Sequence, residues 1–94
     1  KYTGFLVVEN ENSFEKCLLD TKIIFYINSK DVSATLEKMS LFNYLQYINI
    51  HNCLENNKIC LNNGITSFPT WIINNNKIQR DISLEELKQA TGCE

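Results

Sequence analysis

Proline occurs once in this chain and glycine three times, which excludes both a collagen repeat and a Pro/Gly-rich disordered composition. Long apolar runs are missing as well. The longest is Ile23–Ile27, far short of the ~18–20 residues a membrane-spanning helix requires. Neither sign of charge dominates: Lys+Arg 9 against Asp+Glu 11 leaves a net charge of −2. Nucleic acid and anionic lipid both need clustered positive charge, so neither is expected as a partner. What remains is 94 residues, 44% of them hydrophobic. A chain of that size buries roughly 60–65% of its unfolded surface, enough for one core and therefore one domain over residues 1–94. It opens at Lys1 without Met or an apolar leader, which reads as an excised mature domain whose targeting segment is absent.

Asparagine is the composition's excess. The thirteen asparagines include the clusters Asn56-Asn57, Asn62-Asn63 and Asn74-Asn75-Asn76. These clusters are short and sit between apolar segments, so they read as turns rather than as a prion-like tract. Between them the apolar pattern changes period several times. Residues 4–8 read as a buried strand, followed by a turn and N-cap over residues 10–13. Phe14, Cys17 and Leu18 fall at i, i+3, i+4 and mark a short helix ending near Asp20. Residues 22–28 are β-branched and aromatic on both faces, as in a central strand. Val32, Leu36, Met39 and Phe42 then return to helical spacing over residues 31–43, with Asp31 as N-cap. A strand over residues 45–50 would complete a parallel, right-handed βαβ unit. A weak helix is expected over residues 55–63, stopped by Gly64, and then a hairpin from Thr70–Ile73 and residues 77–79. Ser83 and Glu86 form a capping box for a last helix that stops at Gly92. The succession βαβαβ(α)ββα predicts an α/β fold: a mixed sheet of about four to five strands with helices on both faces. The thioredoxin fold is the small architecture with this order.

The lone proline sits directly before a strand, in Ser67-Phe68-Pro69-Thr70-Trp71-Ile72-Ile73. A trans proline opening a strand is one reading. A cis bond is the other, since X–Pro tolerates cis far better than other peptides do. The cis form would leave the Phe68 backbone free of sheet pairing, available to an extended peptide that adds by β-augmentation.

Residues 64–73, together with the capped helix ending in Thr91-Gly92, resemble the thioredoxin-like domain fused to bacterial and plastid vitamin K epoxide reductase homologues. The resemblance is best over residues 45–92 and rests on the core Gly-Ile-x-x-aromatic-Pro-Thr-Trp. It implies a cis bond at Pro69 beside the functional groove. It also implies a disulfide between Cys53 and Cys60, apart from any catalytic pair. The family carries Cys-x-x-Cys where the central strand meets the next helix. Here that junction reads Asn28-Ser29-Lys30-Asp31-Val32-Ser33-Ala34-Thr35, without sulfur. Thiol–disulfide exchange needs a thiolate, and a serine with no neighbouring base cannot replace it.

Four cysteines allow three pairings. A Cys53–Cys60 bond closes an eight-residue loop, for which chain entropy gives about 2–3 kcal/mol. Cys17 lies on the apolar stripe of the first helix and reads as a buried free thiol. In the thioredoxin arrangement the first and last helices lie on opposite faces, which argues against Cys17–Cys93 and leaves Cys93 for a bond to a partner chain. Zinc would need two closely spaced thiolate pairs, and only one is present, so neither metal nor cofactor is expected. His51 reads as a solvated loop residue, Trp71 as core, and Tyr44 and Tyr47 as packing around a strand edge.

The expectation is therefore a redox-inactive protein- or peptide-binding module. Its groove is formed by Ser29, Asp31, Val32 and Ser33 on one side and Thr66, Ser67, Phe68 and Pro69 on the other. The rival is a thiol–disulfide oxidoreductase working through Cys53 and Cys60. The resemblance suggests an oxidising or plastid-like lumen.

Overall fold

The computed structural model describes residues 13–93, and the strand expected at residues 4–8 lies outside them. Its centre is β1 (Ile23–Ile27), whose five apolar residues are covered on both sides. Ile23, Phe25 and Ile27 enter the principal core, while Tyr26 and Ile24 turn to a smaller cluster on the other face. β1 pairs in parallel with β2 (Asn49–Asn52) and antiparallel with β3 (Thr70–Ile73). β4 (Asn76–Ile78) adds antiparallel to β3, giving the order β2-β1-β3-β4. The expected α/β class with a mixed sheet is met. The β3–β4 turn consists of Asn74 (φ 50°) and Asn75 (φ 71°). Two positive φ values are what a tight hairpin needs, and asparagine tolerates them better than other non-glycine residues.

Three helices pack on the principal core. α1 (Ser13–Leu19) inserts Phe14 and Leu18, α2 (Val32–Lys38) inserts Leu36, and α4 (Leu84–Thr91) inserts Leu87. α3 (Asn57–Asn62) covers the second face, and Cys60 is its buried residue. The helix expected over residues 31–43 is thus shorter. After Met39 the chain turns through Ser40 at φ 61°, with Leu41 N–H donating to the Leu36 carbonyl (2.8 Å) and Ser40 N–H to that of Glu37 (3.0 Å). This is a Schellman stop, with Leu36 and Leu41 both buried in the principal core. Serine at the position where glycine is usual hid the stop from the sequence pattern. A 3-10 helix follows (Phe42–Tyr47), so β2 begins only at Asn49 rather than at residue 45. Tyr44 and Tyr47 belong to this 3-10 helix and not to a strand edge. Tyr44 packs edge-on against Phe14 at 5.3 Å. Gly64 stops α3 as expected, by a second Schellman pair: Ile65 N–H to the Cys60 carbonyl (2.9 Å) and Gly64 N–H to that of Leu61 (3.0 Å).

The cysteine pairing corrects two expectations. Cys17 and Cys93 are disulfide-bonded, as are Cys53 and Cys60. Cys17 is therefore not a free thiol, and Cys93, 1% exposed, is not available to a partner chain. The reason is that α1 and α4 share a face. Phe14, Leu18 and Leu87 enter one cluster, and the Lys88 ammonium lies 5.5 Å from the Phe14 ring. With the helices side by side, the Cα atoms of Cys17 and Cys93 come within 5.7 Å, inside normal disulfide reach.

Trp71 is fully buried, as expected, and stacks on Phe25 with centroids 4.2 Å apart. α4 carries the capping box read from the sequence. Glu86 N–H donates to Ser83 Oγ (3.1 Å), and Ser83 N–H donates to Glu86 Oε1 (3.0 Å). The Ser83 amide and then the Arg80 guanidinium, which forms an ion pair with Glu86, hold the Glu86 carboxyl below its ordinary range.

Two outcomes follow. A carboxyl with a depressed folded pKa stabilises above the ordinary glutamate range and loses that contribution as pH falls through the folded value. Thermal melts should therefore show wild type ahead of Glu86→Gln near neutrality, with the gap closing in acid. A gap that persists at the lowest pH would contradict this. Second, the disulfides should differ in worth because their loops do: sequence separations are 76 and 7. Chain entropy gives about 4–5 kcal/mol for the long loop against about 2–3 kcal/mol for the short one. Urea denaturation of Cys17→Ala/Cys93→Ala and Cys53→Ala/Cys60→Ala proteins checks the ranking.

Candidate functional site

Parallel pairing of β1 with β2 and antiparallel pairing with β3 bring three chain ends together. Ile27 is opposite Asn52, and Tyr26 is opposite Thr70. The segment leaving β1 therefore runs beside the segment entering β3, and β2 finishes at the same edge. Both halves of the groove expected from the sequence are thereby placed at one end of the sheet.

On the β1 side, Asp31 is the N-cap of α2, its Oδ1 accepting from Ala34 N–H at 3.0 Å. Ser29 Oγ accepts from the Asp31 amide at 3.1 Å, which folds the corner tightly. Val32 is half-buried against the principal core, and Ser33 is exposed. On the β3 side, Thr66, Ser67 and Phe68 are exposed, and Pro69 is half-buried after a cis Phe68–Pro69 bond. Phe68 leaves 38% of its surface in solvent, a large area for an aromatic side chain. Thr70 Oγ1 donates to the Ser67 carbonyl (2.7 Å) and Gln79 Nε2 to Ser67 Oγ (3.1 Å). The Thr66, Ser67 and Phe68 amides make no backbone–backbone bond among the described residues.

Asn52, which the sequence reading did not single out, ties the end of β2 to the corner after β1. Its Nδ2 donates to the Ser29 carbonyl at 2.7 Å, and its Oδ1 accepts from Leu54 N–H at 3.1 Å. The next residue, Cys53, donates its N–H to the Ile27 carbonyl at 2.7 Å. One asparagine among thirteen carries no sequence signal for such a role; the β2 register selects it.

Cys53 and Cys60 are 3% and 1% exposed, packed with Tyr26 and Ile65. His51 is not a loop residue. It lies in β2 opposite Tyr26, and the two rings stack with centroids 5.3 Å apart. Among the described residues no three His, Cys, Asp or Glu side chains are grouped to hold a metal ion. No described helix is long and apolar enough to cross a membrane. The corner offers hydroxyls, a capping carboxylate and backbone groups, but no sulfur.

No family model matches the chain, and no curated protein matches it in sequence. A solved structure of a malarial protein is similar in backbone, with a TM-score of 0.58 at 13% identity, over 77% of this chain and 93% of that one. At that identity the likeness extends to the fold alone.

Asn52→Ala should lower stability by about 1 kcal/mol, the usual worth of such hydrogen bonds. It should also broaden or shift the NMR signals of Ser29 and Leu54. Asn52→Asp should do no better at neutral pH, because a carboxylate cannot donate to the Ser29 carbonyl. Signals unchanged at both residues would rule out the clamp.

Proposed function

We propose that the chain is a thioredoxin-like domain, similar to that fused to vitamin K epoxide reductase homologues, that has lost exchange chemistry and binds an extended protein segment. The sheet order, the helix directly after β1 and the proline entering β3 support the fold assignment, whereas α1, sharing a face with α4, departs from the thioredoxin arrangement. One observation carries the function: among the described residues the amides of the exposed Thr66, Ser67 and Phe68 make no backbone–backbone bond, and they flank a corner that has no cysteine. Amides without a sheet partner beside an exposed aromatic ring suit strand addition, with main-chain bonds giving affinity and Phe68 contributing apolar contact. No cofactor enters this reading.

Catalysis through Cys53 and Cys60 is the second reading. It needs one sulfur exposed to an attacking thiolate, and burial of both opposes it. Two intrachain disulfides in so short a chain favour residence in an oxidising compartment.

The test pairs two measurements. In insulin reduction by a small dithiol, the protein should give no acceleration over the uncatalysed rate. In NMR titration with a panel of extended peptides, shifts should concentrate at Ser29–Ser33 and Thr66–Phe68. Phe68→Ala should then weaken the best binder about tenfold, the ~1.4 kcal/mol expected of a partly buried aromatic contact. Insulin turnover abolished by Cys53→Ser would sink the proposal, as would peptide shifts confined to other surfaces.

A further inference from the structure

The Cys53–Cys60 disulfide occupies a position that its burial alone does not explain. Each cysteine is tied by its backbone or its neighbour to a different wall of the groove. Cys53 bonds the end of β1 through its N–H to the Ile27 carbonyl (2.7 Å). The preceding residue, Asn52, holds the Ser29 carbonyl (2.7 Å). Cys60 accepts the Ile65 N–H at 2.9 Å, and Ile65 leads directly into Thr66, Ser67 and Phe68.

Among the described residues, the other ties on the element carrying Cys60 are at its entry, where the Glu55 and Asn56 amides donate to the Asn52 carbonyl (3.1 and 3.2 Å). α3 has six residues, of which Asn57, Lys58, Ile59, Leu61 and Asn62 are exposed and Cys60 is buried. Its N-cap bond, Ile59 N–H to Asn56 Oδ1, is long at 3.4 Å. Six residues fall far below the length at which a helix is stable alone, so α3 depends on its tertiary attachment. Beyond its entry turn, that attachment among the described residues is the Cys60 side chain with its sulfur bond, plus Ile65 packed beside it.

The geometry points to a redox-controlled strut: the oxidised Cys53–Cys60 pair keeps the Ser29 corner and the Ile65–Phe68 segment in one frame, and its reduction releases the second wall from the first. The step balances as an ordinary exchange. A dithiol reductant transfers two electrons and two protons, its own sulfurs closing to a cyclic disulfide while Cys53 and Cys60 become thiols. Because both sulfurs are buried, a small dithiol gains access only when α3 opens. As regulation of peptide binding, the inference rests on the groove reading above, but the strut itself can be measured without a ligand.

The experiment follows native-state hydrogen exchange of the full chain at the Ile65 amide, normalised to β1 amides in the same sample. In the Cys53→Ala/Cys60→Ala protein the normalised Ile65 rate should rise at least tenfold, and peptides bound by the oxidised wild type should bind at least tenfold more weakly. In Cys17→Ala/Cys93→Ala the two sets of amides should move together and the ratio stay put. Should the Cys53/Cys60 variant fail to fold, wild type under graded dithiol, scored in the same normalised way, replaces it. An unchanged ratio after loss of the Cys53–Cys60 bond overturns the inference, and so does an equal rise in both variants. If Ile65 loosens as described but no peptide binds either form, the strut stands and the groove reading fails.

Discussion

β1 is hydrogen-bonded along both edges and covered on both faces, and the described sheet is built outward from it. Five residues without a polar side chain facing water can be accommodated only between two strands and between two layers. The parallel partner requires a crossover, which α2 and the 3-10 helix provide. The antiparallel partner, β3, starts at the edge where β1 and β2 end, which brings the Phe68–Pro69 segment beside the exit of β1. The site is thus a consequence of strand pairing: where β1 ends, its neighbours on both sides bring their loops to the same edge.

The two faces of the sheet are built to different standards. The principal core receives α1, α2 and α4 and is joined by a disulfide spanning most of the described chain. Among the described residues the second face has one six-residue helix and the Cys53–Cys60 bond, and Ile24 and Ile72 there are only half-buried. Small domains commonly add covalent links where apolar burial is limited. Here one link closes a long loop against the well-packed face, and the other pins a short helix on the thin face. The same chemistry therefore serves global stability in one place and local geometry in the other.

Two helix ends illustrate how local rules were both legible and concealed. Gly64 at positive φ after α3 is the usual residue for a Schellman stop, and the pattern announced it. Ser40 performs the same task after α2 without glycine, with Leu36 and Leu41 on either side of the turn both buried in the principal core. The apolar spacing of Val32, Leu36, Met39 and Phe42 ran on past the stop, so the helix read too long and the following strand too early. Tertiary burial of Leu41 outweighed the periodicity.

From the residues in order came the central strand, the Asn-rich hairpin, the capping box, the stops at Gly64 and Gly92, and the absence of sulfur at the strand-to-helix corner. Each is a property of a few neighbouring residues, set by backbone preference or by the period of apolar side chains. Which face α1 joins, and hence the Cys17–Cys93 bond, was decided only when the helices packed, because an amphipathic stripe specifies burial but not the surface it is buried against. The role of Asn52 was likewise settled by register. Its side chain reaches Ser29 because β2 lies parallel to β1 with Asn52 opposite Ile27, a relation between residues twenty-five apart that no local pattern encodes.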